Sequence, residues 1–144
     1  MITADINVKK MSENAVLPEY KTSGASGMDV CSINNETLYP GEVKAIDTGL
    51  AFNIPEGFEI QVRPRSGLAF KNRITVLNTP GTIDSDYTGN LKIILINHGE
   101  TFFINKGDRI AQIVVAPVAK ATLHLVTELE TTVRGSGGFG STGV

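Results

Sequence analysis

The sequence predicts an all-β fold of many short strands, with one short helix and a glycine-rich C-terminal segment. Val, Ile and Thr, which favour strands, number 40 of the 144 residues, against 10 Leu. Apolar and polar residues alternate in several short stretches, and turn-forming pairs such as Pro-Gly separate those stretches. Short strands at this spacing are typical of a sandwich or a barrel, and the chain length suits a single domain.

The individual elements follow from the hydrophobic pattern. Alternation predicts strands over residues 2–8 and 58–62 and around residues 123–125. Residues 91–96 and 113–115 are more uniformly apolar, which is typical of strands buried on both faces. A short helix is predicted near residues 67–72. Neither a repeat nor a linker divides the sequence.

Composition and charge exclude several classes of protein. The net charge of -2 disfavours a broad nucleic-acid-binding surface, which needs an excess of basic residues. Cys31 is the single cysteine, so the sequence supports neither an internal disulfide nor a cysteine-based zinc site. No apolar run approaches the ~18 residues of a membrane span, and the N-terminus lacks the apolar core of a secretory signal. We therefore expect a cytoplasmic protein without nucleic-acid or membrane partners.

The segment 63–68, Arg-Pro-Arg-Ser-Gly-Leu, directly follows a predicted strand and is the first candidate binding site. Arg65, the hydroxyl of Ser66 and N–H groups near Gly67 would converge at the start of the short helix, and such groups suit phosphate oxygens. Gly67 would also let the backbone approach a ligand closely. The alternative is a turn at the end of a strand with solvated arginines.

The segment 78–90 lies between two apolar runs and is predicted to form a long hairpin-like excursion. Asn78 can both donate and accept hydrogen bonds, which suits the edge of a pyrimidine. Tyr87 can pack flat on a sugar, and Asp84 is a candidate base for a water molecule. The alternative is an ordinary turn rich in Gly, Asp and Asn. The segment is long for such a turn, since hairpin loops usually contain about 2–5 residues.

Two shorter segments add candidates. In residues 107–112, Asp108 and Arg109 could form an ion pair within a turn, and Gln112 interrupts an apolar strand. A buried glutamine needs a partner, either a ligand phosphate or, more commonly, a backbone group. In residues 25–31, Asp29 precedes a short apolar run, where a turn aspartate often caps local N–H groups. Cys31 is interpreted as a small core residue.

The last eleven residues, 134–144, contain five glycines, one arginine and one phenylalanine, a composition that cannot hold a fixed shape by itself. The segment is either a frayed tail or a flap that orders over a phosphate, with Arg134 supplying charge and N–H groups cradling oxygens. It is not a Walker A loop, because no Gly-Lys-Ser/Thr follows. Together, the four segments and the tail indicate a small β protein that binds a nucleotide-like polyphosphate.

The chain closely resembles the homotrimeric deoxyuridine triphosphate nucleotidohydrolases (dUTPases). That family carries five ordered motifs, which the segments 25–30, 63–69, 78–89, 107–112 and 134–143 resemble in that order. The resemblance covers residues 3–143. The first motif departs slightly, since Ser26 stands as an extra residue before Gly27 and Val30 replaces the usual leucine, but Asp29 is in place.

The resemblance implies a jelly-roll-like β-barrel or β-clip over residues 1–133. Residues 134–144 would form a flexible arm that closes over the active site of a neighbouring subunit in a homotrimer. The enzyme would be a dUTP diphosphatase, which hydrolyses dUTP to dUMP and pyrophosphate by attack of water on the α-phosphorus, with Mg²⁺ as cofactor. Such an activity would limit uracil incorporation into DNA and supply dUMP for thymidylate synthesis.

The resemblance also implies a role for each candidate residue. Asp84 would be the base for the attacking water, and Asp29 would hold Mg²⁺ through water molecules. The groups on the phosphates would be Arg65, Ser66, Gly67, Gln112, Arg134, Ser141 and Thr142. The uracil edge would be read by Asn78 and by backbone groups near Thr82, Ile83 and Lys92. Tyr87 would pack under the deoxyribose, and Phe139, followed by Gly140, would stack on uracil.

Two rival functions differ from this one in specific residues. A dCTP deaminase would share the fold, but those relatives carry a glutamate on the strand after Asp84, and residues 91–97 contain none. A non-catalytic nucleotide sensor would be expected to lose Asp84 or the arm, and the sequence retains both. The resemblance therefore favours hydrolysis of dUTP.

Overall fold

The computed structural model describes residues 1–143, within which there are eleven strands and one helix. Val144, the last residue of the predicted arm, lies outside the described residues. The helix, α1 (Ser66–Asn72), is in the predicted place. The strands are β1 (Asn7–Lys10), β2 (Met28–Cys31), β3 (Glu36–Leu38), β4 (Val43–Asp47), β5 (Leu50–Asn53), β6 (Phe58–Arg63), β7 (Ile74–Val76), β8 (Gly81–Ile83), β9 (Lys92–Asn97), β10 (Phe102–Ile104) and β11 (Arg109–Pro117).

The strands form four antiparallel sheets. The largest has the order β2-β11-β6-β8, and a three-stranded sheet has the order β4-β9-β7. Two-stranded sheets pair β1 with β5 and β10 with β3. The chain moves repeatedly from one sheet to another, which gives a jelly-roll-like fold and confirms the predicted class. The barrel in that prediction was wrong, because across residues 1–143 the four sheets stay separate and do not close.

One hydrophobic core joins the four sheets. Each sheet contributes a fully buried side chain, for example Leu38, Ile46, Leu50 and Ile60. Polar groups buried beside them are paired, since Thr48 Oγ1 donates to the carbonyl of Leu91 at 2.7 Å. Close packing of this kind makes the strand ends a rigid support for functional side chains.

The two apolar runs around the segment 78–90 pair as predicted, with Val76 of β7 opposite Leu95 of β9. The excursion itself is more than a turn, because it contains β8. That strand pairs with β6 of the four-stranded sheet, with Ile83 opposite Ile60. The segment therefore carries the chain from one sheet to another and places Asp84 at the edge of the second.

Three strand predictions need correction. The first strand begins at Asn7 rather than at residue 2, and residues 123–125 form no strand. Both alternating stretches lack a neighbouring strand within residues 1–143, and a ladder needs two partners. In β9, fully buried residues such as Ile93 alternate with half-buried ones such as Ile94, so only one face is wholly buried. In β11, Ile113 is buried but Val114 and Val115 are half-buried, so residues 113–115 are not buried on both faces either. Across residues 1–143, no helix has the length and apolar character needed to cross a membrane.

Candidate active site

The candidate site lies at one end of the four-stranded sheet, where β2, β6 and β11 are neighbours. Asp29 on β2 accepts hydrogen bonds from two arginines. Arg65 Nε lies 3.1 Å from Oδ1, and Arg109 Nη1 lies 3.5 Å from Oδ2. Asp29 is therefore on a strand rather than in a capping turn. The predicted pairing of Arg109 with Asp108 was wrong, because Asp108 instead accepts the N–H of Asn105 at 2.8 Å.

Gln112 on β11 completes this end of the sheet. Its Nε2 donates to the carbonyl of Pro64 at 3.0 Å, so its partner is a backbone group, one of the two predicted alternatives. Gln112 lies opposite Asp29 on one side and Arg63 on the other. A Cβ at Gly27 would lie 2.5 Å from Gln112 Oε1. Glycine at position 27 therefore leaves the space that the Gln112 amide occupies.

The first turn of α1 brings further donors to the same place. Arg65 directly precedes the helix, and Ser66 and Gly67 are exposed in its first turn. In the described structure no side chain caps that turn, so its N–H groups can meet a ligand. Leu68 packs against the hydrophobic core and anchors the helix. Donors suited to phosphate oxygens thus converge beside Asp29.

Asp84 lies elsewhere, in a cleft of about 560 Å³ that it shares with Glu56, Glu59, Asp86 and Lys120. It is exposed and directly follows β8. An ionised carboxylate offers several acceptor positions, so a side chain here can orient a water molecule.

The loop after Asp84 is fixed by its own hydrogen bonds. The hydroxyl of Tyr87 donates to the carbonyl of Asn90 at 2.7 Å, and Asn90 Nδ2 donates to Asp47 at 3.2 Å. Asn78 is exposed beside the start of β8, where its Nδ2 would lie 3.4 Å from a Cβ at Gly81. The other base-reading candidates lie on or near the same two strands, with Thr82 and Lys92 exposed and Ile83 half-buried.

The arm of this chain contacts itself. Arg134 Nε donates to the carbonyl of Gly137 at 2.7 Å, and the N–H of Ser141 donates to the carbonyl of Gly138 at 3.0 Å. Phe139 is fully exposed. Gly140 and Thr142 are exposed as well. The described arm therefore presents its candidate ligand-binding groups to solvent.

Asp84 and Arg65 lie at opposite ends of β6. Because Ile83 is opposite Ile60, Asp84 extends toward the start of β6, whereas Arg65 lies beyond its end. The six residues of β6 span roughly 17 Å at about 3.3 Å per residue. One chain therefore brings Asp29, Arg65 and Gln112 together but leaves Asp84 away from them.

The surroundings of Asp29 limit how it could hold a metal. Within residues 1–143, no group of three or more His, Cys, Asp or Glu side chains could cage an ion. Both oxygens of Asp29 face arginines, whose charge opposes direct contact with a cation. Mg²⁺ usually keeps several waters and uses one or two carboxylates together with substrate phosphates. The site therefore fits a magnesium ion that arrives with a triphosphate and reaches Asp29 through water.

Sequence reasoning missed Arg109 as a member of this site. Its partner Asp29 is 80 residues away in the chain, so no local pattern could have indicated the contact. The interpretation of Cys31 as a core residue is confirmed, since it is buried and burial raises the pKa of its thiol.

A jelly-roll-like fold with phosphate-type donors at one strand end and a glycine-rich arm defines a class of protein, the nucleotide-polyphosphate-binding β proteins. Comparison with known sequences narrows the class. The family model described as dUTPase matches residues 13–143. The chain belongs to the dUTPase family.

Relatives and solved structures agree with this assignment. A deoxyuridine 5'-triphosphate nucleotidohydrolase of Nautilia profundicola is 58% identical over 96% of this chain and 98% of its own length. One from Rhizobium rhizogenes is 56% identical over 89% of this chain and 85% of its own. Among solved structures, a Staphylococcus bacteriophage 80alpha dUTPase mutant with dUpNHpp has a TM-score of 0.91 and 32% identity, covering 99% of this chain and 100% of that one.

A mutant dUTPase from phage phi11 of S. aureus, described with a structural Mg(II) ion, has a TM-score of 0.82 and 30% identity. The match covers 88% of this chain and 99% of that one.

Proposed function

We propose that this chain hydrolyses dUTP to dUMP and pyrophosphate at a site built by more than one copy, with Asp84 as the catalytic base. Hydrolysis of dUTP is the reaction of the family to which the chain belongs. The observation that carries the shared site is the position of Asp84 at the opposite end of β6 from Arg65. A base must lie within about 3 Å of the water that it activates. Asp84 and the phosphate-binding residues of one site therefore come from different copies.

A trimer meets this requirement with three equivalent sites. In a closed ring, each copy can present its Asp84 to one neighbour and its phosphate-binding strand end to another. Residues 1–133 would form the body of each subunit, and residues 134–144 would be the arm that closes a neighbour's site.

The segment before the arm supports the proposal that each copy places its arm on a neighbouring copy. Residues 118–133 form no strand or helix, and their large apolar side chains after the half-buried Val118 face water. The exposed fractions are 91% for Leu123, 102% for Leu125, 88% for Leu129 and 110% for Val133. Burying one such side chain typically contributes about 1.5–3 kcal/mol. If a neighbouring copy covered these residues, their burial would stabilise the assembly. The arm, which follows directly, would then lie against that neighbour.

In the proposed mechanism, Asp84 orients a water molecule in line with the bond that breaks and accepts its proton. The water oxygen bonds to the α-phosphorus as the bond to the pyrophosphate oxygen breaks, so dUMP and pyrophosphate leave. A carboxylate is a modest base toward water. Positioning of the water against the phosphorus must therefore supply most of the rate enhancement.

Hydrogen-bond donors from both the body and the arm would stabilise the negative charge on the phosphates. Arg65, Ser66, Gln112 and the N–H groups near Gly67 would stabilise it from the sheet end. Arg134, Ser141 and Thr142 would reach the γ-phosphate from the arm. The contact with Asp29 holds the Arg65 guanidinium at the sheet end, which reduces the cost of ordering it when phosphate binds.

Mg²⁺ is proposed as the cofactor, held through water by Asp29. When bound with the triphosphate, it would neutralise phosphate charge and fix the conformation of the chain of phosphates. Asp29 contributes by accepting hydrogen bonds from the waters while its arginine partners keep it in place.

Selection of uracil and deoxyribose would come from the segment that contains β8. Asn78 and backbone groups near Thr82, Ile83 and Lys92 would pair with the uracil edge. Cytosine presents a donor where uracil presents an acceptor, so it would leave polar groups unpaired. Tyr87, fixed through its hydroxyl, would lie under the sugar and leave no space for a 2'-hydroxyl. Phe139 would stack on the uracil ring, with Gly140 allowing the bend beside it.

Subunit mixing tests the shared site directly. An Asp84→Asn chain and a chain truncated after Val133 are co-expressed, and mixed trimers are purified through two different tags. Pyrophosphate release is measured on dUTP and, as a test of the rival deamination, on dCTP together with ammonia release.

Trimers made only of the Asp84→Asn chain, or only of the truncated chain, should be almost inactive. In every mixed trimer one of the three sites receives both an intact Asp84 and an intact arm, so we expect roughly a third of wild-type activity from the purified mixed trimers. Mixed trimers without recovery would mean that Asp84 and the arm of one site come from the same copy, which would overturn the proposed exchange of the arm. Ammonia release from dCTP without pyrophosphate release from dUTP would overturn the proposed reaction itself.

A further inference from the structure

Asp47, at the end of β4, contacts the loop between β8 and β9, although it belongs to none of the five motif-like segments. Its carboxylate accepts two hydrogen bonds. Oδ1 accepts the N–H of Gly49 at 2.8 Å, and Oδ2 accepts Asn90 Nδ2 at 3.2 Å. The first bond closes the turn between β4 and β5. The second joins residues 43 positions apart and ties that turn to the loop that carries Asp84 and Tyr87.

Asn90 is also the residue that holds the ring of Tyr87. The hydroxyl of Tyr87 donates to the carbonyl of Asn90 at 2.7 Å. A Cβ at Gly89 would lie 2.6 Å from that hydroxyl oxygen, so the hydroxyl end of the ring lies against Gly89. The exposed fraction of Tyr87 is 44%, which leaves part of the ring open to a ligand. The position of the Tyr87 ring therefore depends on residues 89 and 90.

The two ends of the loop 84–90 are held in different ways. At its start, β8 pairs with β6 and so fixes the backbone next to Asp84. At its end, a backbone hydrogen bond and the contact between Asp47 and Asn90 hold the chain. Loss of the side-chain contact should therefore displace Tyr87 more than Asp84.

We infer that Asp47 is a positioning residue for the choice between deoxyribose and ribose. It acts through Asn90 on Tyr87 and touches neither the nucleotide nor the reacting atoms. This inference rests on the proposed function, in which Tyr87 lies under the sugar and leaves no space for a 2'-hydroxyl. A ring excludes that hydroxyl only if it cannot move aside, so its supporting residues contribute to the selection.

The alternative role for Asp47 is local stability alone. Its bond to Gly49 is typical of an aspartate in a turn, and Gly49 has the positive φ of +66° that favours glycine. A purely stabilising contact would affect the reactions of dUTP and UTP alike. The ratio of kcat/KM for dUTP to kcat/KM for UTP therefore distinguishes the two roles.

Exchange of the two side chains provides the test. Asn90→Asp removes the donor and places a second carboxylate opposite Asp47. Adding Asp47→Asn to that chain restores a donor facing the new carboxylate, and the amide oxygen can still accept the N–H of Gly49. We expect Asn90→Asp to lower the dUTP/UTP ratio roughly 2- to 10-fold, the factor that one hydrogen bond typically contributes. The double variant should recover most of the ratio.

Two further variants act as controls. Asn53→Asp adds the same charge at an exposed residue that lines a small cleft together with Thr88 of the loop, and its ratio should equal that of wild type. Asn90→Ala removes the donor without adding charge and should lower the ratio as Asn90→Asp does, which keeps the test decisive if the charged variant does not fold. In both Asn90 variants kcat on dUTP should stay within about 3-fold of wild type, because β8 still holds Asp84.

Tyr87→Ala separates this inference from the proposed function. If wild type does not hydrolyse dUTP, or if Tyr87→Ala leaves the ratio unchanged, the proposed role of Tyr87 fails and the inference fails with it. If Tyr87→Ala lowers the ratio but the Asn90 variants do not, the inference alone is overturned. Equal losses on dUTP and UTP in the Asn90 variants would assign the contact to stability. A double variant without recovery would show that Asp47 is not the partner through which Asn90 acts.

Discussion

The carboxylate of Asp29 accepts a hydrogen bond from Arg65 at 3.1 Å, although 36 residues separate the two in sequence. Asp29 comes from β2, whereas Arg65 follows β6, and β11 lies between those strands in the sheet. The contact fixes the direction of one guanidinium at the end of the sheet. It also leaves Asp29 with little capacity to bind a cation directly.

We expect Asp29→Asn to lower activity far more than stability. Each partner in the Asp29–Arg65 pair is about a quarter exposed, so the free energy of unfolding should fall by at most about 1 kcal/mol. kcat/KM should fall by roughly 10-fold or more, because Arg65 loses its fixed direction and Mg²⁺-bound waters lose an acceptor. Activity is measured as a function of Mg²⁺ concentration, and the half-saturating concentration should rise.

Glu36→Gln is the matched control for this substitution. Glu36 pairs with Lys44 at 3.5 Å, with similar exposure but in a different sheet from the candidate site. It should show a comparable loss of stability and near-normal activity. Equal kinetic losses in the two variants would show that Asp29 has no special role.

Asp84→Asn should abolish most turnover while nucleotide binding survives. The amide keeps the shape of the side chain but cannot accept the proton of water, so kcat should fall by roughly 10²–10⁴. Calorimetric titration with dUpNHpp checks binding, and pyrophosphate release checks turnover. Glu56→Gln, a neutralised carboxylate in the same cleft, should keep substantial activity. Near-normal turnover in Asp84→Asn would remove Asp84 from the mechanism.

Gly27→Ala should reduce activity by displacing Gln112. The added Cβ would lie 2.5 Å from Gln112 Oε1, so the amide must move and its bond to Pro64 must weaken. We expect a stability loss of about 0.5–1.5 kcal/mol, the net contribution of one hydrogen bond, and a rise in KM, measured by denaturant unfolding and steady-state kinetics. Gly24→Ala is the control, because a Cβ there meets nothing within 4 Å. If both variants behave as wild type, Gln112 tolerates the displacement and the space at Gly27 is unimportant.

The arm should order only over a bound triphosphate. Fixing glycine-rich backbone costs roughly 1 kcal/mol or more per residue, which several charge-assisted bonds and a stacked base must offset. Trypsin cleavage of the wild-type arm is measured alone, with dUMP and with dUpNHpp plus Mg²⁺. Protection is expected only in the last case, because dUMP offers far fewer bonds. Equal protection in all three would indicate a fixed arm, and equal cleavage would indicate a frayed tail.

Local patterns in the sequence were sufficient to predict the class of fold and the position of the helix. The excess of Val, Ile and Thr and the alternation over residues 58–62 report the geometry of a strand within a few residues. Local patterns also predicted the turn at Arg65 and Ser66 and the excursion around Asp84, because both are bounded by strands that the sequence shows. Alternation over residues 2–6 and 123–125 predicted strands that one chain does not form, because a strand also needs a neighbour.

The sequence by itself determined that the chain is rich in strands and that five polar, glycine-containing segments carry its chemistry. Only the tertiary structure decided which of those segments meet. It joined Asp29 to Arg65 and Arg109, turned Gln112 toward Pro64, and placed Asp84 at the far end of β6. The physical reason is that side-chain pattern encodes local backbone geometry, whereas contacts across tens of residues depend on the order in which strands join the sheets.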